Sequence, residues 1–266
     1  LVPQWSADLP RGGRRRQRPT PTAEPDIVYL PACVNAMFGA DGGNAASGVQ
    51  DGFEKLCALV GLTLAVPDGI DSLCCGTPWS SKGMSERTTA AVVAASRDGT
   101  LPVVCDASSC TEGLVKMLRK SAPHVRVVDA VTVIRERVLP LLGDLPRMAS
   151  VTVHPTCSSQ LGTTEDLLAI ARVVADDVVV PTDWGCCGFA GDRGMLHPEL
   201  TASATSQQAA QVRAHPTSAH ASCNRTCEMA MTRATGSPYR HIVEILADVA
   251  AGRLSAGVRP GPAERT

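Results

Sequence analysis

Apolar residues along the chain fall into short runs that alternate with stretches of helical spacing. Ile27-Val28-Tyr29-Leu30, stopped by Pro31, predicts a buried strand. Between 48 and 60, Phe53, Leu56, Cys57 and Val60 recur at helical spacing, and Gly61 ends that helix. A strand is expected at 62–66 before Pro67, a helix at 86–97 closed by Gly99, and a strand at 101–104 that runs into Cys105. A helix at 113–120, a strand at 125–128 and a helix at 132–142 follow. The order then recurs. Strands are expected at 150–155, 178–181 and 217–221, and helices at 165–174, 198–213, 225–233 and 242–250.

Strands alternating with helices predict an α/β protein with mainly parallel sheets flanked by helices. Two related Rossmann-like halves are expected, related by a pseudo-two-fold duplication. They divide the chain into a linker or disordered tail at 1–25, units at 26–146 and 147–252, and a second disordered tail at 253–266. A length of 266 residues with 44% hydrophobic residues suits two such units, and 3% aromatics leave Val, Ala and Leu to fill the core. A net charge of −1 gives no electrostatic reason to expect nucleic acid or an anionic membrane.

No apolar run approaches the length that spans a bilayer. Arg14-Arg15-Arg16 is not followed by an apolar stretch, so it does not open a secretory signal and is expected to be a solvated charge run. A reducing, cytoplasmic setting follows, which allows a peripheral position at the inner face of the cell membrane. The first residue is Leu1, and with the linker-like opening this points to a piece of a longer polypeptide.

Eleven cysteines change the picture. In a reducing compartment, clustered thiols mean metal or redox chemistry. They recur at the carboxyl ends of expected strands, where parallel sheets collect functional groups. Each half carries a single cysteine after a strand, a Cys-Cys-Gly turn, and a strand that ends in a pair of cysteines. These are Cys33, Cys74 with Cys75, and Cys105 with Cys110; then Cys157, Cys186 with Cys187, and Cys223 with Cys227. The extra length of the first half falls in the Gly-, Ala- and Asn-rich stretch at 39–48. Adjacent cysteines do not both fit one tetrahedral ion but can serve neighbouring irons of one cluster. A glycine after the pair lets backbone approach the cluster. Cys57, on an apolar helix face, is expected to be a buried thiol. His154 and His197, each before a proline, are expected as caps or turn residues, with His154 close enough to Cys157 to hydrogen-bond a cluster. Trp79 and Trp184 flank the double cysteines and are expected to shield them from water.

These motifs resemble the cysteine-rich (CCG) domain family. That domain occurs twice in the cysteine-rich subunit of heterodisulfide reductase and in glycolate oxidase and lactate-utilisation iron–sulfur subunits. It also forms the C-terminal part of FAD-linked oxidases of the D-lactate dehydrogenase type, to which the likeness is greatest. The likeness rests on Leu30-Pro31-Ala32-Cys33-Val34-Asn35, on the run from Cys74 to Gly83, on His154-Pro155-Thr156-Cys157, and on the run from Cys186 to Leu200. It covers about residues 26–250 and makes each unit a CCG domain. The resemblance implies a [4Fe-4S] cluster in one or both halves, held by Cys33, Cys74, Cys75 and Cys110, and by Cys157, Cys186, Cys187 and Cys227. The family's fifth cysteine would stand at Ala107 and Asn224. Cys105 and Cys223 are offered instead, out of register.

No Gly-x-Gly-x-x-Gly follows a strand. FAD is therefore expected only in a further domain or partner, with a quinone or cytochrome as electron acceptor. Two rival readings stand beside this one. The first is a disulfide reductase like heterodisulfide reductase; the second is a non-enzymatic zinc or thiol scaffold, which the out-of-register cysteines favour.

Overall fold

The computed structural model describes residues 9–17, 23–39, 48–78 and 88–254. Trp79 to Gly83 of the first motif, the start of the helix expected from 86, the Gly-rich stretch at 40–47 and residues 255–266 lie outside the described residues.

The first unit runs β1 (Ile27–Leu30), α1 (Cys33–Met37), α2 (Val49–Leu59), β2 (Leu64–Ala65), a 3₁₀ turn (Ile70–Ser72), α3 (Thr89–Ala95), β3 (Val103–Cys105), α4 (Ser108–Ser121), β4 (Val127–Asp129) and α5 (Ala130–Val133). The path of α5 continues through a π turn (Ile134–Val138) and a 3₁₀ turn (Leu139–Leu141). The second unit runs β5 (Met148–Val153), a 3₁₀ turn (Cys157–Leu161), α6 (Thr164–Val174), β6 (Ala175–Val179), α7 (Arg193–Leu196), α8 (Pro198–Ala214), β7 (Ala219–Ser222), α9 (Arg225–Thr235), β8 (Tyr239–His241) and α10 (Ile242–Ala250).

Each unit has one four-stranded sheet, in the order β2-β1-β3-β4 and β6-β5-β7-β8, and every pairing is parallel. The two orders are the same, and in both the single cysteine and the Cys-Cys-Gly turn emerge at the carboxyl edge. The α/β expectation and the duplication are both present. Register fixes the equivalences: Leu30 pairs Cys105 and Cys105 pairs Asp129, while Val153 pairs Ala221 and Ser222 pairs His241. Asp129 and His241 are both strand-end caps of the next helix, accepting from Val131 N at 3.1 Å and Val243 N at 3.3 Å. Cys105 is thus the counterpart of Ser222, and Cys110 that of Cys227.

Several elements differ from the pattern-based expectation. The strand expected at 62–66 keeps only two paired residues. Strand β8 is absent from the pattern, because Tyr239-Arg240-His241 has no apolar run and its burial comes from pairing with β7. Strand β6 starts at Ala175, directly after α6. Its Asp176 and Asp177 are exposed on an edge strand, which hides it from a hydrophobic pattern. Helix α4 starts five residues ahead of Gly113 and so takes Cys110 into its first turn. Gly113 is not a helix start. It lies where an added Cβ would meet Thr77 Oγ1 at 2.0 Å, so its lack of a side chain lets the first Cys-Cys-Gly turn lie on α4.

One apolar core runs through both units. Ile27, Tyr29, Phe53, Leu56 and Val104 of the first unit join Val151, Leu167, Ile170, Ile245 and Leu246 of the second. Helices α2 and α10 cross at Gly52, where an added Cβ would sit 3.3 Å from Ala247 Cβ.

Of the segment expected as a linker, residues 9–17 run along the folded body. Arg15 pairs with Asp71 at 2.7 Å, Arg14 pairs with Asp51, and Arg16 donates to the carbonyls of Pro31 and Leu73 at 3.3 and 3.0 Å. The arginine run is therefore pinned to the protein while Arg14 and Arg15 keep their outer faces wet. Carboxylates and free carbonyls beside the first cysteine turn supply its partners.

Candidate metal centre

Three segments build each centre. In the first unit, Cys33 opens α1, Cys74 and Cys75 lie between the 3₁₀ turn and α3, and Cys110 is the third residue of α4. The thiols neighbour one another: Cys33 stands beside Cys74, and Cys75 beside both Cys110 and Cys74. The turn is pinned by Thr88, whose Oγ1 accepts from Cys74 N at 3.1 Å and donates to Cys74 O at 2.6 Å. Hydrogen bonding to Cys74, then burial and the neighbouring sulfurs, pushes the Cys33 thiol far up. Cys75 moves the same way, chiefly through its bonds to Cys110 and Cys74.

In the second unit, Cys157 opens a 3₁₀ turn, Cys186 and Cys187 precede α7, and Cys227 is the third residue of α9. The Sγ atoms of Cys187 and Cys227 lie 3.2 Å apart. The hydrogen bond with Cys227 pulls Cys187 down to about 5 against the cost of burial, helped by His154 and the Phe189 N–H, while Cys227 is pushed well up. Burial and the sulfurs of Cys186 and Cys187 raise Cys157. Gly188, at φ 70°, turns its N–H onto Cys186 Sγ at 3.4 Å, and Asn224 Nδ2 stands 3.8 Å from Cys227 Sγ. Cys110 and Cys227 both sit in the first turn of a helix, where the backbone favours negative sulfur.

Of the cysteines expected as ligands, Cys187 and Cys227 bring their sulfurs to 3.2 Å; Cys33, Cys74, Cys75 and Cys110 neighbour one another in the first unit, and Cys157 and Cys186 stand beside Cys187 in the second. The two out-of-register cysteines separate. Cys105 donates to Leu30 O at 3.3 Å, the bond that Ser222 Oγ makes to His154 O at 2.8 Å in the other unit. Cys105 also hydrogen-bonds Cys110, which favours its thiolate, but burial and Asp106 outweigh this and push it up to about 11. Cys223, one position further on, turns to the opposite face and into the shared core, 3.9 Å from Thr156 Oγ1. It is fully buried, which raises its thiol. A one-residue offset along a strand reverses the side chain, and that separates the two.

Within the second group, His154, Cys187 and Cys227 bring one ligand atom each within 4.8 Å of one another. The shielding expected of Trp184 falls elsewhere, since Trp184 is half-buried. Fully buried Phe189, with Phe38 just after α1 and Leu9, covers Cys187 and Cys227. Nothing in the hydrophobic pattern marks these two phenylalanines, and Phe38 reaches the site across the unit boundary. His197 is a surface residue paired with Glu199, as its place before a proline suggests, and Cys57 is a buried thiol. The cavity lined by Arg14, Arg16, Asn35 and Asp106 contains no thiol, so it is not where the sulfur chemistry sits.

The helix starts that hold Cys110 and Cys227 face each other across the boundary between the units. Ser109 Oγ donates to Asn224 Oδ1 at 3.1 Å, Ser108 N donates to Cys223 O at 3.3 Å, and Ser108 Oγ lies 2.7 Å from Thr156 Oγ1. Crowded thiols oppose one another's ionisation, and a bound cation reverses that balance. Four sulfurs gathered from three segments suit a soft metal or an iron–sulfur cluster.

Two parallel α/β sheets with thiols at their carboxyl edges make this a cysteine-rich α/β protein. The second unit carries such a domain by sequence as well: residues 151–232 match the family model described as CCG, cysteine-rich domain. No curated protein matches the chain. The crystal structure of allantoin racemase from Pseudomonas fluorescens is similar over 85% of this chain and 89% of that one, at 17% identity and a TM-score of 0.29, a likeness too slight to bear on the site. Among the described residues no helix is long and apolar enough to cross a membrane.

Proposed function

We propose that this chain is an iron–sulfur electron-transfer module. Each unit holds one [4Fe-4S] cluster, the first on Cys33, Cys74, Cys75 and Cys110 and the second on Cys157, Cys186, Cys187 and Cys227. An FAD-binding domain or subunit of the D-lactate dehydrogenase type supplies the electrons. A quinone or cytochrome receives them. A bound cluster would supply one-electron transfer, passing the two electrons of a reduced flavin singly to a cytochrome, or one after the other to a quinone.

The observation that carries this reading is the convergence of the same three thiol-bearing segments at the same edge of both sheets. The protein's own part is to hold the sulfurs and to place helix starts against them. Phe189 and Phe38 keep water from Cys187 and Cys227, while Cys157 and Cys186 stay exposed, and burial of this kind tunes a cluster's potential. The contact of Ser109 with Asn224 supports a path between the two centres.

Anaerobic reconstitution with iron and sulfide, followed by metal analysis and EPR of the reduced protein, tests the proposal. The expected result is about eight irons per chain for two cubane-sized clusters, with EPR signals that the Cys75→Ala and Cys187→Ala variants each remove in part. A colourless protein carrying stoichiometric zinc would overturn it in favour of a zinc scaffold. Turnover of disulfides without any flavin partner would favour a disulfide reductase.

A further inference from the structure

The two centres are not chemically alike, and the difference lies at one strand-end position. Leu30 closes β1 and His154 follows the last residue of β5. Each stands three residues ahead of the single cysteine, and each offers its carbonyl to the same neighbour, Cys105 in one unit and Ser222 in the other. The first centre therefore meets an apolar side chain where the second meets an imidazole.

His154 is fully buried. Its Nδ1 is engaged by Gln208, with Oε1 at 3.1 Å and Nε2 at 2.9 Å. Its Nε2 is buried and has no nitrogen or oxygen partner, and the group it faces is the Cys187 sulfur. A ring nitrogen left in that state costs free energy comparable to a lost hydrogen bond. The same ring stands with the thiols of Cys187 and Cys227, one ligand atom from each lying within 4.8 Å of the others. Cys223, the remaining cysteine of this unit, points into the core and does not complete the set.

We infer that His154 is a ligand of the second centre through Nε2, so that this centre has a mixed nitrogen and sulfur donor set while the first is held by sulfur alone. The inference rests on the iron–sulfur reading above. Gln208 is its positioning residue. With Oε1 accepting from Nδ1–H, the proton stays on Nδ1 and the Nε2 lone pair is left free, the arrangement metal-bound histidines require. Helix α8, which carries Gln208, also lies on the Cys-Cys-Gly turn at Gly188, so one helix orients both donors.

The test is pulsed EPR on the full chain, reconstituted anaerobically with iron and sulfide and then reduced. The natural-abundance protein is compared with one grown on ¹⁵N-histidine. The expected result is a strong nitrogen coupling that changes with the label and belongs to the centre that Cys187→Ala removes. Cys75→Ala should leave it in place. His154→Cys should keep the iron and lose the nitrogen coupling, which separates loss of a ligand from loss of the fold. Gln208→Leu should weaken the coupling and leave the signal of the first centre unchanged. A second-unit iron signal with no nitrogen coupling, or with only the weak coupling of a hydrogen-bonded ring, overturns this inference and leaves the electron-transfer reading standing. Protein that takes up no iron overturns both.

Discussion

His241 and Asp129 occupy the same place in the two units, yet burial acts on them in opposite senses. Burial is the main cause in both: it pushes the Asp129 carboxyl up to about 6 and the His241 imidazole down to about 3, and the nearby Arg225 lowers His241 further. A histidine held neutral in the fold while the unfolded chain protonates near pH 6.5 makes stability fall as pH falls. Between 6.5 and about 3 the unfolded state binds the extra proton, so wild type loses about 1.4 kcal/mol per pH unit from this group. Asn is a good helix cap and does not titrate. The stability difference between wild type and His241→Asn should therefore move in favour of the variant by about 2 kcal/mol between pH 7 and pH 5. Urea unfolding of both proteins at the two pH values measures this, and a difference that does not vary with pH contradicts it.

At the scale of elements, the Cys-Cys-Gly turns are the parts most strictly determined by backbone. Gly188 has φ 70°, and an added Cβ would come within 3.1 Å of Ala204 Cβ and Leu200 O on α8. Gly188→Ala meets the left-handed penalty of about 1–2 kcal/mol and a helix that cannot yield without moving. Its expected effect is a loss of about 2 kcal/mol or more in chemical denaturation, together with loss of the second iron signal and retention of the first. Retention of both signals at full stability would show that the turn does not set the sulfur geometry.

Much of this level was legible in the chain. Helix α10 has the predicted bounds, and β1 and the alternating order are as the apolar runs indicate. Cys187 and Cys227 come together as the duplicated cysteine order implies. What escaped was what packing decides. The start of α4 carries no apolar signal, β8 is polar in sequence, and the partners of His154 come from β7, α8 and α9, far along the chain. The proline after His154 points to a cap, whereas the side chain faces the thiols.

At the scale of the whole molecule, the two units share one large apolar cluster, while Val28, Leu30, Leu114 and Leu118 belong to a second cluster of the first unit alone. The apolar cluster that contains Phe53 and Leu56 continues into Ile245 and Leu246, and α2 meets α10 with only Gly52 and Ala247 between their backbones. The helix starts bearing Cys110 and Cys227 are also tied across the boundary by Ser109 and Asn224. Opening one unit would expose the apolar face of the other, so local unfolding of either half costs nearly as much as unfolding both. The full chain should therefore unfold in one calorimetric transition, with calorimetric and van't Hoff enthalpies in agreement. Gly52→Val places two methyl groups between the crossing helices and should lower stability by about 1–3 kcal/mol. Because the crossing belongs to both units, that single transition should move as a whole. Two resolved transitions, only one of them shifted by Gly52→Val, would mean that the units fold independently. The two centres would then be held by separate bodies, and a shared boundary could not fix the path between them.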